Sequence, residues 1–253
     1  MDRIEHPSME YYRETYKNSP IWNGEPLENK TLIIYCEQGY GDILQFLRYV
    51  PPIQIYEGGK IYLHVPESLH RLIEFQDWGV NLIKKNDPNI PKHDFNVLSM
   101  DLPSLFSNII PNKKYIKADP HPDISSDKKL MGICWESSTQ IKNINLSNFK
   151  KYSDQYDIFN LNIPIVDQSL LEGCEDFELL GVEINDWMDT AQVIESMDVV
   201  VSVDTAVLHL AGAMKKETYG ILNENPDARW GNNKKTPWYP TMKLGKIDEI
   251  ELS

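Results

Sequence analysis

The residues able to do chemistry gather where short apolar runs give way to polar ones. One run, Val199-Val200-Val201-Ser202-Val203, leads straight into Asp204-Thr205-Ala206-Val207-Leu208-His209. Such a run reads as a strand buried on both faces, delivering polar residues to the start of a helix. A helix start offers unpaired N–H groups and a partial positive charge, and in open α/β sheets ligands settle beyond the carboxyl ends of strands. A diphosphate suits that place. Thr205 can cap the helix or donate its hydroxyl to a phosphate, small Ala206 leaves the backbone approachable, and His209 lies on the same helical face as Thr205. Spacing alone leaves a second reading open, in which Asp204 or Thr205 is a plain N-cap and His209 a hydrogen-bonded core histidine.

Three further clusters follow the same logic. In Glu37-Gln38-Gly39-Tyr40-Gly41-Asp42 the two glycines permit a tight turn and close approach of a substrate. Asp42 then stands where a carboxylate can take a proton from an acceptor hydroxyl, or where it simply begins a helix. The same glycine pattern also occurs in S-adenosylmethionine-dependent methyltransferases, a weak match. After Trp135, the loop Glu136-Ser137-Ser138-Thr139-Gln140-Ile141-Lys142 offers hydroxyls and one cation for a diphosphate, against the alternative of a solvent loop. Finally Arg229-Trp230, with Trp238 and Tyr239, reads either as a stacking wall for a base or sugar or as aromatic packing beside prolines.

Metal chemistry finds no foothold: the six histidines are scattered, there is no HxxxH pair, and the cysteines lack CxxC spacing. Neither a metal nor a cofactor is expected. Cys36 and Cys134 sit in apolar runs and, with Cys174, read as reduced thiols of a cytoplasmic protein.

Positioning these groups requires alternating strands and helices. Strands are expected at 31–36, 60–65, 80–83 and 95–98, with a helix from 42 to 50 stopped by Pro51-Pro52 and another over 66–75. The polar, proline-containing stretch 119–129 has linker composition, and beyond it the alternation restarts: strands at 130–135, 199–203 and 218–222, helices at 189–196 and 206–214. Two parallel-sheet lobes are therefore expected, 1–125 and 126–253, the first opening with a polar, aromatic arm that carries Tyr11, Tyr12, Tyr16 and Trp22.

Charge narrows the partners. With 25 Lys and Arg against 38 Asp and Glu, a net charge of −13, no broad cationic face exists for nucleic acid. No stretch approaches the roughly 18 apolar residues of a membrane span, and the first residues lack a signal-peptide core.

As an ordered set, Trp22-Asn23-Gly24, Glu37 through Asp42 and on to Arg48-Tyr49, Asp189-Thr190-Ala191, Asp204 through Ala213, and Arg229-Trp230 with Pro237-Trp238-Tyr239-Pro240 resemble the ADP-heptose:lipopolysaccharide heptosyltransferases, especially those linked to tetratricopeptide repeats. The resemblance implies a GT-B fold, an amino-terminal acceptor lobe, a carboxy-terminal nucleotide-sugar lobe, and inverting transfer without a metal. It implies Asp42 as general base, Lys142 as diphosphate contact, and Asp204, Thr205, Ala206 and His209 as the nucleotide-sugar motif. Gln38, Gly39, Tyr40, Gly41, Ser137, Arg229 and Trp230 are candidate cleft residues. The partners implied are a nucleotide sugar and a glycan, lipid-linked or protein acceptor. The lobes are shorter than the family's usual ones, and Lys142-Asn143-Ile144-Asn145 replaces its usual run of a basic residue, Ser, Ile and Pro. Two other functions fit parts of the sequence: a nucleotide-sugar binding module without catalysis, and a methyltransferase.

Overall fold

A computed structural model of the chain describes residues 10, 19–162, 167–172, 174, 177–231 and 234–250. Tyr11, Tyr12 and Tyr16 of the arm lie outside the described residues. The chain forms two compact units, Met1–Pro111 and Asn112–Ser253. The linker-like stretch 119–129 belongs to the second unit. The reason is local bonding: Tyr115 and Ile116 donate their N–H groups to the Ala213 carbonyl, and His121 donates to Gln192 O and Ser196 Oγ.

Unit 1 holds four parallel strands, β1 (Thr31–Tyr35), β2 (Lys60–Val65), β3 (Asn81–Lys84) and β4 (Phe95–Leu98), in the order β3-β2-β1-β4. β1 is central, pairing Tyr35 with His64 on one side and Leu98 on the other, and Leu32 through Tyr35 are wholly buried. That is why a continuous apolar run, not an alternating one, marks it. Before the sheet, Ile21 bridges to Asn96 and the Trp22 N–H bonds Asn96 O, so residues 19–22 line the free edge of β4. Pro51-Pro52 does not stop the helix. α1 (Tyr40–Phe46) tightens into a 3-10 turn, Leu47–Tyr49, and α2 (Val50–Tyr56) begins with both prolines in its first turn, where a missing N–H costs nothing. α3 (His70–Glu74) and α4 (Leu102–Leu105) are short.

Unit 2 holds β5 (Lys129–Cys134), β6 (Tyr156–Asn160), β7 (Val199–Val203), β8 (Thr218–Ile221) and β9 (Met242–Gly245), all parallel, in the order β6-β5-β7-β8-β9. β6 and β9 escape the sequence reading because each is short and interrupted by polar residues (Tyr156-Asp157-Ile158-Phe159-Asn160 and Met242-Lys243-Leu244-Gly245). α5 (Trp187–Ser196) starts ahead of the expected position because Asp186 caps it, accepting from the Met188 and Asp189 N–H groups. α6 (Ala206–Ala213) is buried along nearly its whole length, which fixes it against β7 and β8. Its Gly212 faces the Tyr239 ring so closely that a Cβ there would lie 2.5 Å from ring carbons.

Candidate functional site

Each sheet has one place where the chain reverses its direction of strand addition. In unit 2 it lies between β5 and β7, since β6 extends the sheet on one side of β5 and β7 on the other. The loops leaving β5 and β7 therefore part there and open a crevice suited to a ligand. Both loops were among the expected site segments, and the fold brings them together.

The β5 exit is fixed by a residue that the sequence gives no reason to single out. Buried Asn162 accepts from the Trp135 N–H (2.8 Å) and donates to Glu136 O (3.2 Å). Beyond it, Ser137 donates its N–H to Asn143 Oδ1 at 2.7 Å, and the Ser137 hydroxyl bonds Thr139 O. This folded loop places the Lys142 ammonium on Asp204, 2.8 Å from Oδ2 and 3.2 Å from the backbone O. The two side chains are 29% and 12% exposed, so the pair remains open to an incoming anion.

At the start of α6 the capping alternative does not materialise. Thr205 occupies the N-cap position in an extended conformation, yet no side chain caps the helix. The Thr205 hydroxyl instead turns inward, 3.2 Å from Ser202 Oγ and 3.6 Å from Cys134 Sγ. Burial pushes the Cys134 thiol above its usual pKa, with Thr205, Ser202 and the Glu136 backbone acting against that rise. The first amides of α6 thus face the crevice with no side-chain oxygen across them.

His209 and the aromatics belong to the layer beneath. His209 is 3% exposed and its Nδ1 lies 2.8 Å from Tyr239 Oη. Its ring stacks on Trp230 (centroids 5.1 Å apart) and meets Tyr239 edge-on at 5.7 Å. Trp230 and Tyr239 are buried, so they form no stacking wall for a ligand; they hold α6 from behind. Arg229 is turned onto Asp227, with Nε 3.1 Å from Oδ1. Burial alone would raise the Asp227 pKa, but the hydrogen bonds and charge of Arg229, with the charge of Lys142, hold it below the usual range. Asp227, passed over in the sequence reading, is thereby linked by charge to Lys142.

In unit 1 the reversal lies between β1 and β4, and the loops meeting there carry the glycine-rich segment. Gln38, Gly39 and Tyr40 are exposed, and Gly41 and Asp42 half-buried. Asp42 stands in the first turn of α1 behind the N-cap Gly39, in the favourable field of a helix start. Tyr40 Oη accepts a bond from Ser68 Oγ at 3.0 Å. Glu37, by contrast, is fully buried. Among the described residues no group of three His, Cys, Asp or Glu side chains is placed to hold a metal ion, and no helix is long and apolar enough to cross a membrane.

The sequence pattern of glycosyltransferase family 9 (heptosyltransferase) matches residues 101–244, more than half of the chain and all of the crevice in unit 2. The chain belongs to that family. The methyltransferase reading of the glycine loop falls with this. No curated protein matches the sequence. Among solved structures, the iron-containing dodecameric heptosyltransferase TibC, known from enterotoxigenic E. coli H10407 and solved with ADP-D-beta-D-heptose, is similar with TM-score 0.60 and 10% identity. That match covers 78% of this chain and 59% of TibC, so the chain spans well under two thirds of TibC's length. The family 9 glycosyltransferase from Veillonella parvula DSM 2008 has TM-score 0.67 at 8% identity, covering 89% of this chain and 88% of its own. E. coli heptosyltransferase WaaC, solved with ADP-2-deoxy-2-fluoro heptose, has TM-score 0.55 at 11% identity, covering 85% and 92%. These likenesses concern the fold: two parallel sheets with helices, the Rossmann-like pair of the GT-B class.

Proposed function

We propose that the protein moves a sugar, a heptose in our reading, from a nucleotide-diphosphate donor to a hydroxyl of a glycan, lipid-linked or protein acceptor, with inversion and without a metal, in the cytoplasm. The observation that carries this reading is the start of α6, uncapped by any side chain and flanked by the Lys142–Asp204 pair. A diphosphate entering there competes with Asp204 for the ammonium while the helix amides donate to its oxygens. Ala206 keeps that approach free of side-chain bulk. The adenine nucleotides and heptose held by TibC and WaaC support ADP-heptose as the donor.

In the transfer, Asp42 takes the proton of the acceptor hydroxyl, and that oxygen forms the new bond to the anomeric carbon. The old anomeric C–O bond breaks on the opposite face, and its electron pair leaves with the diphosphate. Lys142 and the α6 amides receive the leaving charge. Asp204, relieved of Lys142, accepts from a sugar hydroxyl, and His209 keeps α6 seated from its buried side. Gln38, Gly39, Tyr40 and Gly41 would contact the acceptor, and Ser137 the donor.

Calorimetry and thermal shift with ADP, GDP, UDP and CDP test the donor half. One diphosphate should bind selectively, and at one hundred times its Kd should add about 2.7 kcal/mol of stability. Lys142→Met should weaken it roughly tenfold or more, the scale of one hydrogen bond to a charged group. Binding of none of the four, or an unchanged Kd in the variant, would remove the basis of this assignment.

A further inference from the structure

In both units a carboxylate ties together the loops that meet at the reversal point, yet the two ties differ. In unit 2 the Lys142–Asp204 pair is partly exposed and can be exchanged for a ligand. In unit 1 the tie is sealed. Glu37 is 0% exposed, and its carboxylate reaches across from the end of β1 to the turn after β4. Its Oε2 accepts from the Ser99 N–H (3.0 Å) and the Ser99 hydroxyl (2.9 Å), and its Oε1 from the Met100 N–H (3.4 Å). Burying a carboxylate is costly unless donors surround it, and here backbone and hydroxyl donors from the neighbouring strand supply that need.

The residue after Glu37 explains why so firm an anchor is present. Gln38 has φ 71, a left-handed conformation that side chains other than glycine seldom adopt and that persists only where the surroundings impose it. On one side stands the anchored Glu37, whose own N–H bonds Tyr35 O at 3.2 Å. On the other is the first turn of α1, closed by the Ile43 N–H on Gly39 O at 3.1 Å. The N-cap residue of α1 is Gly39, which has no side chain to cap with, and the anchored loop leads directly into that turn and to Asp42 upon it.

We propose that Glu37 is the positioning residue of the transfer reaction. It touches no substrate; its buried carboxylate pins the loop between β1 and α1, so that Gln38, Gly39 and Tyr40 face outward and Asp42 is held at one place for the acceptor hydroxyl. This rests on the reading of Asp42 as the base. Glu37→Gln keeps the size of the side chain but turns an amide toward the Met100 or Ser99 donors, and so loosens the tie.

The test compares Glu37→Gln, Asp42→Asn, the double variant and Ser99→Ala in the full chain, by hydrogen exchange and by ADP release from ADP-heptose. In Glu37→Gln the amides of residues 38–43 should exchange at least tenfold faster, with those of 206–213 unchanged and ADP affinity kept. Its kcat should fall at least tenfold with donor KM within twofold, and the double variant should be no slower than Asp42→Asn alone. Ser99→Ala, which keeps both backbone donors, should show a smaller loss of the same kind and stands in if Glu37→Gln does not fold. Unchanged exchange at 38–43, loosening spread through unit 1, or losses that multiply in the double variant would overturn the proposal. Full activity of Asp42→Asn would instead overturn the base assignment, with exchange still deciding whether Glu37 fixes the loop. If ADP-heptose is not turned over, exchange alone decides in the same way.

Discussion

At the carboxyl end of β2, His64 is sealed from water with its ring edge-on to Tyr35 at 5.2 Å. Burial first, and the charge of Lys85 second, lower its pKa to about 4, with Asp87 acting in the opposite direction. The unfolded chain binds this proton near pH 6.5, so its affinity for the proton exceeds that of the folded state, and stability must fall as the pH drops. His64's contribution is complete above pH 6.5 and is lost progressively as the pH falls toward 4. Urea titrations across that window should show a shallower decline for His64→Gln than for the parent chain; equal slopes would mean that His64 does not report the acid response. Carboxylates behave just as unevenly at this scale. Glu37, Asp42, Asp204 and Asp227 all lie in loops or first turns, yet one is a buried anchor, one stands half-buried on a helix start and two hold cations. Sequence spacing located Asp42 and Asp204, but it had no means of separating an anchored carboxylate such as Glu37 from a reactive one, because that difference is made by Ser99 and Met100, more than sixty residues away.

Among the elements, α6 depends most on how closely its neighbours approach. Its short face, with Gly212 against Tyr239, lets the Tyr239 hydroxyl reach His209, and Trp230 closes the far side. A methyl group at 212 would lie 2.5 Å from the Tyr239 ring, inside any tolerable contact, and the ring is buried with little room to retreat. Gly212→Ala should therefore cost about 1–3 kcal/mol, the range for overpacking a filled core, even though alanine favours helices. Denaturant midpoints measure the loss, and a neutral or stabilising result would mean that Tyr239 is free to move. The helix itself was legible in Ala206-Val207-Leu208-His209-Leu210-Ala211-Gly212-Ala213, a near-continuous apolar run. Its aromatic backing was legible only as a choice between a ligand wall and packing, and burial decides for packing.

For the whole molecule, the proposed transfer draws the charge that would receive a departing diphosphate from Lys142 and the α6 amides alone, where Lys142 pairs with Asp204 and Arg229 with Asp227. That arrangement leads us to expect ADP release from ADP-heptose to be unchanged by EDTA, within about twofold of the untreated protein on the scale where a tenfold change is 1.4 kcal/mol. A collapse in rate, restored by a divalent cation, would contradict the metal-independent part of the reading.

What the sequence determined by itself was the repeated pattern of apolar strand, polar turn and helix, because continuous β-branched runs have few places to go except the middle of a parallel sheet. With that pattern came the segments that end at the sheets' carboxyl edges, including Asp42, Lys142 and Asp204. Tertiary structure decided which of these segments share a crevice. Strand order sets β5 beside β7 and β1 beside β4, and no local propensity encodes that order. The same packing drew Lys142 onto Asp204, turned the Thr205 hydroxyl away from its own helix, and closed Glu37 over the loop that carries Asp42.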